Sequence, residues 1–228
     1  EGGTAATIER LKGKANRDRL RDRMERGGEG FDNIAGMVGW ENIIMSTLNT
    51  PANKRFEGMT VQDIAKARGT DPVDCVCDML IEENCAITMI DFITCEEDIA
   101  RILNCGFASV ISDSIYPTSG RPHPRLYGTY ARIIQRFVRE RRDMTLEAAV
   151  KAMTYTPAKA LNIADRGLLK EGLCADVNVF DPAEVKERGS YADPDKCAAG
   201  MDYVFVNGKP AIAAGELTGG AFGQVIRR

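Results

Sequence analysis

Hydrophobic and polar positions in this chain switch between two periods, and the switches mark out its elements. Residues 4–26 are dense in charge, with Ile8, Leu11, Leu20 and Met24 as sparse apolar positions. Glu9, Asp18, Asp22 and Glu25 are interleaved with the bases, which predicts a solvated helix laced with i,i+4 ion pairs rather than a nucleic-acid patch. Gly27-Gly28-Glu29-Gly30 ends it. Ile43-Ile44-Met45, inside Trp40 to Leu48, predicts a strand that Asn49-Thr50-Pro51 breaks. Thr60 with Asp63 opens a helix and Gly69 closes it. Asp71 and Pro72 open the next. Its Val73, Val76, Cys77, Leu80 and Ile81 fall at i, i+3, i+4, i+7 and i+8, predicting one buried stripe.

Ile87 to Ile93 predicts a second buried strand, and Thr94 with Glu97 a capping box over a helix carrying Ile99, Ile102 and Leu103. The β-branched run Phe107-Ala108-Ser109-Val110-Ile111-Ser112-Asp113-Ser114 predicts a third strand. Residues 87–113 then form a strand–helix–strand unit, long enough for a right-handed parallel crossover. Past a proline-rich loop, Leu126, Tyr130, Ile133, Ile134 and Phe137 share one helix face. Thr145 and Thr156-Pro157 cap two further helices. The texture changes near residue 164. Ala175 to Phe180 alternates, and Tyr203-Val204-Phe205-Val206 runs through Asn207-Gly208 into Pro210-Ala211-Ile212-Ala213, a strong hairpin signal. An α/β body is thus followed by a small β unit. The body shows too few strands to close an eight-stranded barrel, so it reads as part of something larger.

Composition narrows the class without choosing the function. A hydrophobic content of 44% with 28% charged residues is that of a globular protein, and a net charge of −3 gives no reason to expect nucleic acid or an anionic membrane. No run of about 18 apolar residues is present, and Glu1-Gly2-Gly3-Thr4 shows no signal-peptide pattern, so a cytoplasmic location is expected. The seven cysteines are scattered, which favours reduced, mostly buried thiols over a disulfide framework. Cys75 and Cys77 project about 200° apart on a helix and cannot share a metal. With a single histidine, the chain cannot supply a histidine-rich catalytic zinc site alone.

The candidate chemistry lies where the third predicted strand ends. Groups at the C-terminal ends of strands face the active-site side in α/β folds. Asp113 there either caps the next turn or faces a cleft in need of a partner. The following loop favours the cleft, because it carries Arg121, Arg125 and the lone His123, the last held extended between Pro122 and Pro124. Each arginine is either a substrate cation or a clamp on loop carbonyls. Trp40, Met45 and Met89 read as core.

Four stretches resemble the amidohydrolase superfamily and, within it, the N-acyl-D-amino-acid deacylase (D-aminoacylase) family. They are Val110 to Ser114, Arg121-Pro122-His123-Pro124-Arg125-Leu126-Tyr127-Gly128-Thr129-Tyr130, Lys151 to Ala158, and the tail Arg166 to Pro182 with Val206 to Pro210. The tail places the superfamily; the Pro-His-Pro-Arg segment points to the deacylase branch. The resemblance implies an α/β fold in which residues 1–163 are the C-terminal part of a (β/α)8 metallo-hydrolase barrel, with an insertion at about 31–91. Residues 164–228 would form a small β-sandwich domain. It implies zinc held by a His-x-His, a bridging cysteine and two middle-strand histidines, all upstream of this sequence.

Only the lone aspartate of the last strand is matched, by Asp113, a weak metal ligand at most. His123 matches no ligand position and is expected to orient the loop or Asp113. The implied reaction is zinc-assisted hydrolysis of an N-acyl-D-amino acid, with Asp113 moving the proton and Arg121 or Arg125 binding the product's carboxylate. The implied partners are that small molecule and the missing N-terminal half of the barrel, with no nucleic acid or membrane. The chain alone is expected to be inactive and to bind no zinc. The alternatives are a hydantoinase- or dihydroorotase-like cyclic-amide hydrolase, against which the Pro-His-Pro-Arg loop argues, and a non-catalytic truncated assembly module.

Overall fold

The computed structural model describes residues 2–27, 30–116 and 119–226. Gly28 and Glu29 of the first turn, and Pro117 and Thr118 of the proline loop, lie outside the described residues. The chain divides into two compact units, Glu1–Thr94 with Ile115–His123, and Cys95–Ser114 with Pro124–Arg228.

In the first unit the charged N-terminal stretch forms two helices, α1 (Gly3–Lys12) and α2 (Lys14–Arg26), because Gly13 takes an extended conformation between them. The expected i,i+4 pairs are present as Lys14–Asp18 and Arg26–Asp22, each 2.6 Å. The inner face is not solvated. Leu11 is buried, Arg17 bridges Asp74 and Asp78 at 3.2 and 2.6 Å, and Arg21 reaches Asp71 and Asp74 at 2.9 Å. A short helix α3 (Ile34–Val38) and a 3₁₀ turn at Trp40–Asn42 lead into β1 (Ile43–Thr47).

Helix α4 (Val61–Arg68) starts where the Thr60 hydroxyl accepts the Asp63 N–H and stops at left-handed Gly69. In α5 (Pro72–Glu82) the Asp71 carboxylate accepts the N–H groups of Val73 and Asp74, so both helix starts are those the residue pattern predicts. The buried stripe of α5, however, is double. Cys75 and Met79 enter a core with Ile43, Met45, Leu48, Val61 and Ile64, while Val73 and Cys77 pack with Leu11 in another. Helix α5 meets α1 and α2 as well as α4, so it carries apolar residues on both sides, next to the Asp74 and Asp78 that pair with α2. The two thiols accordingly lie in different cores.

Strand β2 (Thr88–Asp91) pairs antiparallel with β1, placing Ile43 opposite Asp91 and Met45 opposite Met89. The expected parallel crossover over 87–113 is therefore not formed, and Met89, expected in the core, is half exposed at this edge.

In the second unit α6 (Glu96–Leu103) is entered from Cys95 rather than Thr94. Residues 107–114 form no strand ladder. The Val110 N–H donates to the Ala152 carbonyl at 2.9 Å and Val110 is buried, but Phe107 and Ile111 are 81% and 67% exposed. The reason is local: a strand needs a neighbour for its backbone groups, and no strand of the described residues flanks this one. Helix α7 (Arg125–Arg132) passes without a break into a π-wound segment, Ile133–Glu140, where the Arg141 N–H reaches back to the Arg136 carbonyl at 2.9 Å. Ile133 and Phe137 face one core, with Val110 and Ala149; Ala131 and Ile134 face another, with Val185. Tyr130, expected on the buried face, is exposed.

Helix α8 (Leu146–Met153) is capped by Thr145 as predicted. Helix α9 (Tyr155–Ala160) begins after Thr154, ahead of the predicted Thr156 cap; Pro157 sits in its first turn, where a missing N–H costs little.

The C-terminal strands β3 (Val177–Phe180), β4 (Met201–Val206), β5 (Lys209–Ala213) and β6 (Glu216–Leu217) form one antiparallel sheet in chain order. Asn207 and Gly208 take φ of 50° and 77° in the predicted hairpin turn. The unit is a single layer rather than the expected sandwich, and among the described residues no strands pair in parallel. Arg166 ties the turn before it to the hairpin, bonding Asp176 and, at 2.9 Å, the Asn207 side chain. No helix among the described residues is long and apolar enough to cross a membrane.

Candidate functional site

Asp113 has a left-handed backbone, φ 46°, uncommon for a residue with a Cβ though tolerated best by Asp and Asn. Among the described residues its side chain makes no capping bond to the next turn; the Ser114 hydroxyl instead donates to the Ser112 carbonyl at 3.2 Å. The carboxylate pairs with Arg125, Oδ2 to Nη2 3.0 Å, with the two side chains 75% and 41% exposed. Asp113 is thus neither a turn cap nor an acid sealed in a cleft. It is an accessible carboxylate aimed by an arginine from the first turn of α7. At this exposure the pair contributes at most about 1 kcal/mol to stability.

Arg121 belongs to the first unit, and its backbone does the clamping. Its N–H donates to the Ser46 carbonyl at 2.9 Å, and its own carbonyl accepts the Ser46 hydroxyl at 2.6 Å. One residue earlier, Gly120 (φ 90°) lies so close to β1 that a Cβ would stand 2.9 Å from the Thr47 Cα. The Arg121 side chain is exposed and, among the described residues, forms no ion pair or hydrogen bond. Among the described residues, then, Arg121 meets carbonyls and hydroxyls through its backbone and not its side chain. His123 is half-buried between the buried Pro122 and Pro124. The structure brings Asp113 and Arg125 together in one unit, while Arg121 and His123 belong to the other.

Among the described residues no three His, Cys, Asp or Glu side chains converge as a metal would need. The other charged clusters are structural in their geometry. Glu96 accepts from Arg132 at 3.0 Å, Arg136 at 2.8 Å and Arg141 at 3.2 Å, and the bond from Arg136 is the main reason its carboxyl is held below the usual range. Glu83 is 3% exposed and accepts the N–H groups of Asn49 and Thr50, the Thr50 hydroxyl and the Asn53 amide. Burial alone would push its carboxyl up; these bonds outweigh that and hold it low. Glu83 and Ser46 both organise the β1 end that carries Arg121, and neither stands out in the sequence. A buried Glu at a helix C-terminus and a Ser within a strand carry no motif, and only their distant partners reveal them.

Comparison with known proteins bears on the family. The amidohydrolase family matches residues 44–212. N-acyl-D-glutamate deacylase of Alcaligenes xylosoxydans xylosoxydans is 38% identical over 165 residues, covering 72% of this chain and 32% of that protein. D-aminoacylase of the same organism is 36% identical over 173 residues, 76% of this chain and 34% of that protein. The chain thus spans about a third of the length of these curated relatives. Among solved structures, N-acyl-D-glutamate deacylase from Bordetella bronchiseptica, complexed with zinc and a phosphonate inhibitor, superposes with a TM-score of 0.74. That match has 31% identity and covers 94% of this chain and 46% of the other. With most of its length matched by the family and its relatives drawn from one branch, the chain belongs to the amidohydrolase family and is similar within it to the N-acyl-D-amino-acid deacylases.

Proposed function

We propose that this chain is the C-terminal part of a zinc-dependent N-acyl-D-amino-acid deacylase. Residues 1–163 would contribute to the catalytic barrel, with an insertion at about 31–91, and residues 164–228 would form its β domain. The observation that carries the reading is the coincidence of the family match with an aspartate aimed by the arginine of the Pro-His-Pro-Arg loop. Water adds to the acyl carbon, the C–N bond breaks, and the proton lost by water ends on the departing nitrogen. Asp113 is the group that carries it, a role worth about 10²–10⁴ in rate. Arg125 orients that carboxylate. An arginine of the same loop, Arg121 or Arg125, takes the substrate's carboxylate in bidentate fashion.

Zinc asks for three or four N, O or S donors at about 2.0–2.3 Å. The described residues offer no group of three, so they do not fit the ion by themselves. The remaining donors belong to the rest of the barrel, which is also the partner that would cover Phe107 and Ile111. The test is hydrolysis of N-acetyl-D-glutamate and N-acetyl-D-methionine by a polypeptide in which that remainder completes the chain. Turnover is expected there and not from the 228 residues alone. Asp113→Asn, which keeps size and removes basicity, should lower kcat by at least 100-fold, within the range above. A loss below about 10-fold deprives Asp113 of its proton-carrying role, and turnover by the isolated chain refutes the partial-barrel reading.

A further inference from the structure

Asn207-Gly208 is the one Asn-Gly pair in the sequence. An asparagine amide is lost most readily before glycine, because no side chain shields the next backbone nitrogen from the amide carbon. Here Asn207 is half-buried, Gly208 is exposed, and both take left-handed φ in the turn between β4 and β5. The polar atoms that the reaction would use are nonetheless engaged. Arg166 Nη2 donates to Asn207 Oδ1 at 2.9 Å, and Asn207 Nδ2 donates to the Phe222 carbonyl at 2.7 Å. The Gly208 N–H, on the attacking nitrogen, donates to the Ala175 carbonyl at 2.9 Å. Asp176 closes the ring by accepting from Arg166 and, at 2.8 Å, from the Asn207 N–H. The same side chain ties down the end of the chain. Beyond Thr218, whose N–H donates to the Ala211 carbonyl at 3.0 Å, the Phe222 carbonyl sits on Asn207 and the Phe222 ring lies 5.7 Å from the Lys209 ammonium.

We propose that Asn207 is a latent deamidation site: Arg166 and the Phe222 carbonyl hold its amide away from the Gly208 nitrogen, and loss of that amide frees residues 219–226 from the hairpin. In the reaction the Gly208 nitrogen gives up its proton and bonds to Cγ. The Cγ–Nδ2 bond breaks, and that nitrogen leaves with the proton as ammonia. Water then opens the cyclic imide to aspartate or isoaspartate. Aspartate sets an acceptor against the Phe222 carbonyl where the amide presented a donor. Isoaspartate adds a methylene to the backbone of a turn that depends on two left-handed residues. The Arg166 guanidinium would also stabilise the oxyanion of the attack, but only once the nitrogen has reached Cγ. With Ala175 holding the attacking nitrogen and Phe222 the leaving one, anchoring prevails.

The experiment ages the full chain in mildly alkaline buffer and follows Asn207 by peptide mass spectrometry, with a synthetic peptide of residues 204–212 as the unrestrained reference. Wild type should convert more slowly than the peptide. Arg166→Met, checked for folding by circular dichroism, should convert about 10-fold faster than wild type or more, the effect of one lost charge-assisted bond. A chain ending at Ala221 lacks the Phe222 carbonyl and should convert about 5-fold faster, and it decides the matter if Arg166→Met does not fold. Met79→Ala, destabilised far from the hairpin, should age as wild type does, which separates anchoring from general loosening. Asn207→Asp should speed chymotryptic cleavage after Phe222. Wild type converting as fast as the peptide overturns the proposal, as does an unchanged or slower rate in the folded Arg166→Met chain; the slower rate would mean that the guanidinium activates the amide. Cleavage after Phe222 that ignores Asn207→Asp overturns the release of the C-terminal segment.

Discussion

Replacing Glu83 by Gln tests how the end of β1 is held. The carboxylate is ringed by donors. Oε2 accepts the Asn49 and Thr50 N–H groups at 2.6 and 3.1 Å; Oε1 accepts the Asn53 amide at 2.9 Å, the Thr50 N–H at 3.2 Å and the Thr50 hydroxyl. A glutamine oxygen can replace only one of these. Placed at the Oε2 position it keeps both backbone bonds but turns an NH2 toward the Asn53 amide donor. Asn53 cannot simply flip, because its oxygen already accepts from Arg68. The reverse orientation sets the NH2 against two backbone N–H groups.

The better orientation still loses one charge-assisted bond and buries a donor facing a donor, about 2–3 kcal/mol. That corresponds to a fall of roughly 4–12 °C in Tm for a chain of this size. The assay is urea unfolding followed by fluorescence of Trp40, the only tryptophan, which packs against both cores of the first unit. The sign of the pH effect follows from Glu83 being held below its ordinary range. Its stabilisation is complete above the unfolded value, near 4.5, and is lost as pH falls through the lower folded value. Wild type should therefore weaken on acidification and Glu83→Gln should weaken less steeply. A loss below 0.5 kcal/mol at pH 7 (about the scatter of ordinary surface changes), or an unchanged pH slope, refutes the reasoning.

Met79→Ala removes a fully buried side chain and should cost about 2–4 kcal/mol in the same Trp40 assay with an unchanged m-value. Gly120→Ala drives a Cβ into the Thr47 backbone and should destabilise the first unit more than the average surface change, read by thermal melting. In the second unit, Glu96→Gln removes the shared acceptor of three arginines. Because that carboxyl is held low, wild-type stability should drop as pH falls below about 4.5 by circular dichroism, and less so in the variant. Ellman's reagent should modify exposed Cys95, Cys105 and Cys197 first and reach Cys75 and Cys77, whose thiols burial pushes up, only on unfolding. Fast reaction of either buried thiol in the native chain would contradict the packing of α5.

Where a structural signal is contained within a few residues, the sequence was readable. Thr60 and Asp71 bond N–H groups two or three positions on, Thr145 does the same, and Asn207-Gly208 needs only two left-handed φ values. The caps at Thr94 and Thr156 failed because Thr/Glu and Thr-Pro patterns allow a start one or two residues either side, and packing chose among them. In the candidate loop, which of the arginines pairs with Asp113 was not legible.

By itself, then, the sequence determined many of the local elements and the family. Each of these depends on residue identity at short spacing. Tertiary structure alone decided that β2 pairs antiparallel with β1, that α5 is buried on two sides, and that Phe107 to Ser114 stays without a ladder. It also decided that Arg125 aims Asp113 while Arg121 lies over Gly58. The physical reason is that strand partners, helix burial and ion pairs are settled by what arrives from far along the chain, and no local pattern encodes that arrival.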